Sequence, residues 1–90
     1  MATTNITISK TAYALIASAG AKGVYSNPNS DFIEIAYAGS LPAASLKGHP
    51  VPQLVGDDFR NSAHATDNIY AKLVDNSVSD AGVVAVSLGF

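Results

Sequence analysis

The chain has 90 residues, a net charge of −2 and no cysteine, so it holds a single domain over residues 1–90, with no disulfide and no thiolate metal site. Folding buries roughly 60–65% of the surface of a chain this size, which leaves a marginal core that must rely on good packing or on neighbouring subunits. Charged residues make up 13% of the chain, about half the usual share. The basic ones (Lys10, Lys22, Lys47, Arg60 and Lys72) are scattered singly, which argues against a nucleic-acid partner.

In chain order, Asn5-Ile6-Thr7-Ile8-Ser9 puts Ile6 and Ile8 on one side among β-branched threonines, as a strand does. Over residues 11–19, alternation sets Tyr13, Leu15 and Ala17 against Ala14 and Ile16. The alanine content and Ser9 as an N-cap would equally suit a two-turn helix. The strand is preferred, because residues 6–16 then read as two strands separated by Lys10-Thr11. Gly20 and Gly23 flank a turn, residues 23–26 form a short strand, and Asn27-Pro28-Asn29-Ser30-Asp31 is a loop. The clearest strand covers residues 31–38. It sets Ile33, Ile35 and Tyr37 against Phe32, Glu34, Ala36 and Ala38, and Glu34 is expected in solvent.

After the loop Gly39-Ser40-Leu41-Pro42, residues 43–46 fit a single helical turn started by Pro42. Gly48-His49-Pro50-Val51-Pro52 and Gly56-Asp57-Asp58 read as turns, and residues 58–62 as a short strand. Residues 68–74 place Ile69, Ala71 and Leu73 opposite Tyr70, Lys72 and Val74. Turns at Asp75-Asn76-Ser77 and Asp80-Ala81-Gly82 lead to a C-terminal strand over residues 82–90, with Val84, Val86 and Leu88 on one face. The spacing predicts an all-β fold: a small antiparallel sandwich or barrel of about six to eight short strands, with at most one short helical turn.

The chemistry-bearing residues do not form a catalytic or metal-binding pattern. His49 and His64 stand far apart, and a site on His64 with Asp57, Asp58 or Asp67 lacks the spacing that converging ligands require. Residues 75–80 resemble an oxygen-rich calcium loop, but the sixth position is Asp80 where glycine is needed and the twelfth is Ser87 where glutamate is needed. A hairpin turn accounts better for this stretch. No nucleophile elbow or phosphate-cradling glycine loop occurs. No enzyme activity, cofactor or metal is expected. The longest weakly polar run, residues 12–21, is too short to span a membrane as a helix. Nothing at the start of the chain resembles a signal peptide, so synthesis in a cytoplasm is expected.

Low charge and many small residues suit a surface that is buried against other proteins. Residues 83–90 contain Val83, Val84, Val86, Leu88 and Phe90 and no charge, so they are expected to belong to the fold or to a subunit contact. Phe32 is free to meet a partner if the aliphatic face of its strand is the core. Tyr70, with Asn68 and Asp67, is the best local cluster for stacking against a sugar. The candidate interface residues are therefore Phe32, Tyr70, Val83 and Phe90.

Several segments carry a resemblance: Asn5-Ile6-Thr7-Ile8-Ser9, Gly23-Val24-Tyr25-Ser26-Asn27, Phe32-Ile33-Glu34-Ile35-Ala36, Leu41-Pro42-Ala43-Ala44-Ser45-Leu46-Lys47-Gly48-His49 and Asn68-Ile69-Tyr70-Ala71-Lys72-Leu73. In this rhythm of strands and turns the chain resembles small β-rich virion proteins of tailed bacteriophages. The resemblance implies a structural protein of the virion, made in the host cytoplasm, commonly a homotrimer bound to the major capsid protein or another virion protein. Capsid decoration is preferred over a tail or fibre accessory, because heptads and repeats are lacking. The alternative from another class is a small carbohydrate-binding β-sandwich.

Overall fold

The computed structural model describes residues 3–58 and 66–88. It contains eight strands: β1 (Thr3–Ser9), β2 (Ala14–Ala17), β3 (Gly23–Ser26), β4 (Ile33–Ala38), β5 (His49–Val51), β6 (Gly56–Asp58), β7 (Asn68–Leu73) and β8 (Ala81–Leu88). They form two four-stranded sheets, ordered β1-β8-β3-β6 and β2-β7-β4-β5, and every pairing is antiparallel. Apart from the β4–β5 pair, each connection crosses from one sheet to the other. Eight strands wound in this order are a double-sheet jelly roll.

Period-two alternation builds the interior. Ile8, Ile16, Tyr25, Ile33, Ile35, Val51, Ile69, Ala71, Leu73, Val84 and Val86 are buried between the two sheets in one cluster. Burying an aliphatic side chain of this size is worth about 1.5–3 kcal/mol. The aliphatic face of β4 lies in the core at Ile33 and Ile35. The C-terminal strand is integral to the fold, since β8 pairs with β1 on one side and β3 on the other.

The opposite face of the second sheet is covered as well. Residues 39–48, which join β4 to β5, fold back over it, and Tyr13, Ala36 and Tyr70 form a second small cluster there. Gly48 makes the return possible. A Cβ at this position would lie 2.6 Å from the Ile35 carbonyl oxygen, too close for any side chain.

Five expectations need correction. Glu34 is buried, because it pairs across the strands with Lys72 under the 39–48 segment. Residues 43–46 form no helical turn, only one hydrogen-bonded turn from Leu46 N to the Ala43 carbonyl (3.0 Å), and no helix occurs among the described residues. His49-Pro50-Val51 is an edge strand opposite Ile33–Ile35 and not a turn. Proline is tolerated there because an edge strand needs hydrogen-bond donors on one side only. The segment after β7 joins strands of different sheets, so it is not a hairpin. The strand expected over residues 58–62 starts earlier, at Gly56; residues 59–62 lie outside the described residues.

Candidate functional site

Four of the sheet-to-sheet crossings lie at one end of the sandwich: those after β1, β3, β5 and β7. The loops after β3, β5 and β7 are tied to one another around three polar side chains of the β3–β4 loop. Asn27, fully buried, donates from Nδ2 to the Val51 carbonyl (2.9 Å) and the Asp31 carbonyl (3.0 Å). Its Oδ1 accepts from Asn29 N (2.9 Å) and Asn29 Nδ2 (2.7 Å), the first being a local Asx-type turn. Its backbone accepts from Leu54 N (2.7 Å) and donates to the Val55 carbonyl (3.0 Å).

Asn29 passes the connection to β8. Its Nδ2 donates to the Val83 carbonyl (2.7 Å), and its Oδ1 accepts from Val83 N (3.0 Å). Strand β3 pairs with β8 only as far as Ser26 opposite Ala85, so the Asn29 amide stands in for the next backbone unit of β3. Gly82 leaves room for it, since a Cβ there would lie 2.4 Å from Asn29 Oδ1. Asp31 completes the tie by accepting from Val78 N (3.3 Å) and Ser79 N (3.1 Å).

These ties hold three apolar side chains out in solvent. Val78 is 92% exposed, Leu54 81% and Phe32 47%. Leu54 has a φ of 63° at the third position of a turn closed by Val55 N to the Pro52 carbonyl (3.2 Å). Glycine or asparagine normally takes that position, and a leucine there costs about 1–2 kcal/mol. Phe32 borders a cleft of about 390 Å³, lined also by Ser30, Asp31, Val74, Asn76 and Ser77.

A network of charges lies on the covered face of the second sheet. Lys72 Nζ is fully buried. It lies 2.9 Å from Glu34 Oε2 and donates to Asp75 Oδ1 (2.9 Å) and the Leu73 carbonyl (3.0 Å). It also sits 5.7 Å from the centre of the Tyr13 ring, whose hydroxyl donates to the Leu46 carbonyl (2.7 Å). Gly48 N donates to Glu34 Oε1 (3.2 Å) and Lys47 pairs with Asp75, so the network fastens the 39–48 segment to the sheet. Burial opposes the charge on Lys72, but hydrogen bonds to Asp75 and Glu34 outweigh it and hold the ammonium above its ordinary 10.5. A lysine held charged in this way is a poor nucleophile. Burial, with the Glu34 charge beside it, pushes the Tyr13 phenol above its usual 10.0.

Both tying aspartates respond to acid. Lys47 and Lys72 bring Asp75 from the usual 3.8 to about 2, and the Ser79 and Val78 N–H groups lower Asp31. A carboxylate with a depressed folded-state pKa contributes stability that is full above its unfolded value and is lost as pH falls through the folded one. Tm is therefore expected to hold from neutral pH down to about 4 and to fall between about 4 and 2. Asp31→Asn should flatten part of that fall. A Tm that begins to fall well above pH 4 would contradict this assignment.

The expected interface residues separate in space. Phe32 stands at the tied end. Val83 is half-buried on β8, with its backbone taken by Asn29. Tyr70 is only 5% exposed, so it presents no face for stacking. Its hydroxyl accepts from Asn68 Nδ2 (3.0 Å), and Asn68 Oδ1 accepts from Ala19 N (2.8 Å), so the sugar-binding cluster expected at Asn68 and Tyr70 is used up inside the fold. Phe90 and His64 lie outside the described residues. Among the described residues no three metal-ligating side chains come together, and no helix is long and apolar enough to cross a membrane.

Leu54 and Val78 were not among the residues expected from sequence. Val78 had a visible signal, being the lone apolar residue in Asp75-Asn76-Ser77-Val78-Ser79-Asp80. A second cleft, of about 440 Å³, opens between the edges of the two sheets beside Tyr25, Tyr37, His49, Pro50 and Val55. The Tyr37 and His49 rings meet edge-on there at 6.4 Å. Among known proteins, no family model, no curated sequence and no solved structure matches this chain.

Proposed function

We propose that this protein is a non-enzymatic structural subunit of a phage virion, of the capsid-decoration type, which self-associates and docks on the head lattice through the tied end of its sandwich. The observation that carries this reading is the trio Phe32, Leu54 and Val78, held out by loops fixed to one another through Asn27, Asn29 and Asp31. Side chains presented on fixed loops lose little entropy on docking. Strain retained at an exposed leucine is common where a residue contacts a partner. Three apolar side chains make a modest contact, and linked copies on a repeating surface turn modest contacts into avidity. The jelly roll itself serves viral capsid and lectin domains alike, so the fold does not choose between them.

Val78→Asp is expected to abolish co-sedimentation with cognate phage shells while leaving the circular dichroism spectrum unchanged, because it sets a charge at the most exposed of the three positions. Leu54→Gly relieves the positive φ, so it should raise Tm and still weaken shell binding. Undiminished binding by both variants would remove the tied end from the contact. The second reading, sugar binding, has its support in the cleft beside Tyr37 and His49. Binding on a glycan array that is lost in Tyr37→Ala, together with no affinity for shells, would favour it.

A further inference from the structure

A sheet edge leaves backbone groups unpaired and invites another strand, and proteins blunt such edges with short strands, bulges, prolines or charges. This jelly roll has four edges, β1, β6, β2 and β5, and three of them are blunted. Strand β2 has four residues and an irregular register between Leu15 and Ala17. Strand β5 has three residues, one of them Pro50. Strand β6 has three residues, two of them aspartates.

Strand β1 has no such device. It runs seven residues, Thr-Thr-Asn-Ile-Thr-Ile-Ser, without a charge, proline or glycine, and its register with β8 is unbroken from Thr3 opposite Ser87 to Ser9 opposite Ala81.

The direction of its free backbone groups follows from the neighbouring strand. Val83 gives both its N–H and its carbonyl to Asn29, on the side of β8 that faces β3. In an antiparallel ladder successive residues alternate sides, so Gly82, Val84 and Val86 bond toward β1. Their partners there are Ile8, Ile6 and Thr4. Lys10 N bonding the Asp80 carbonyl (3.3 Å) continues the same series. Thr3, Asn5, Thr7 and Ser9 therefore point their N–H and carbonyl groups away from the sheet.

We propose that β1 is the self-association edge, and that its occupant is β1 of a second copy of this chain, paired antiparallel about a two-fold axis at Ile6. Full overlap of the two strands then sets Thr3 against Ser9 of the second copy and Asn5 against its Thr7, with about eight backbone hydrogen bonds joining two sheets into one. A copy of the same chain fits because a two-fold contact brings each residue against its own kind or a near neighbour. Strand β1 carries no charge, so the two copies meet no like charge in doing so. Such a contact closes at two copies, so the self-association proposed above takes the form of a pair and not of the trimer implied by the resemblance. This inference rests on that self-association but not on where the pair docks.

The test is solution mass by sedimentation equilibrium, run alongside the shell-binding assay. Wild type should reach twice 9.2 kDa at high micromolar concentration. Thr7→Pro should remain at the single-chain mass with an unchanged circular dichroism spectrum, because Thr7 N–H faces away from the ladder and proline is tolerated on that side of an edge strand. If Thr7→Pro fails to fold, Asn5→Lys combined with Thr7→Lys tests the same contact by setting like charges opposite one another across the axis. Val78→Asp should stay paired.

A wild type that remains at 9.2 kDa or forms trimers, or a folded edge variant that still pairs, overturns the inference. A wild type that pairs as expected yet ignores shells leaves β1 assigned and overturns the docking role instead.

Discussion

Replacing Lys72 with methionine is expected to destabilise the protein by about 3–5 kcal/mol, the usual cost of stranding one partner of a buried ion pair. Lys72 is fully buried, and the Glu34 carboxylate beside it is nearly so. Without the ammonium, Glu34 keeps one donor among the described residues, Gly48 N at 3.2 Å, and Asp75 keeps Lys47. A domain of this size loses roughly 4–8 °C in Tm per kcal/mol, so the fall should be at least about 12 °C. That is a large share of the roughly 5–15 kcal/mol that holds a typical domain folded.

Adding Glu34→Leu to Lys72→Met should recover most of the loss, or even exceed the wild type, because both charges are gone and two apolar side chains sit directly opposite on β4 and β7. Thermal melts of the two single variants and the double variant form a cycle with a clear sign. A double variant that falls by the sum of the singles would show that the pair itself contributes nothing.

Asn27→Ala should be the most damaging change at the tied end, costing about 3 kcal/mol in stability. Its carboxamide makes four hydrogen bonds, and truncation leaves the carbonyls of Val51 and Asp31 and the N–H of Asn29 without it. Burial at the site makes unsatisfied groups expensive. Asn27→Asp tests the chemistry at constant shape, since a carboxylate cannot donate to the two carbonyls; it should lose nearly as much. Because Asn29 takes its position from Asn27 and holds Val83 in turn, both variants should also weaken shell binding more than their change in Tm alone would. Chemical denaturation of the two variants, with sedimentation against shells at a temperature where both remain folded, separates these effects. If Asn27→Asp melts like the wild type, the two donated bonds are not what ties the loops.

Much of this fold was legible from local pattern. Alternation in Ile33, Ile35, Ile69, Leu73, Val84 and Val86 identified the strands and sorted the residues of each onto two faces, because the period of two is a property of the extended backbone itself. The Asn27-Pro28-Asn29-Ser30-Asp31 loop was legible for the same reason, as its asparagines bond the backbone close by. The roles of those side chains were not: Asn27 reaches Val51 and Asn29 reaches Val83, partners placed by the winding of the chain.

The tertiary structure decided the rest. Alternation put Glu34 on the outer face of its strand but could not show that residues 39–48 return to cover that face. That cover turned an expected surface carboxylate into a buried one and took Tyr70 out of reach of any ligand. Turn-forming residues made His49-Pro50-Val51 read as a loop, and pairing with β4 made it a strand. The positive φ of Leu54 belongs to the turn that Val55 N closes on the Pro52 carbonyl, and that turn is anchored by the bonds of residues 54 and 55 to the distant Asn27. Strand identity and facing follow from bonds and sterics within a few residues, so the sequence alone determined them. Burial, edge position and exposure depend on which distant segments arrive to cover a face, and only the folded chain decides that.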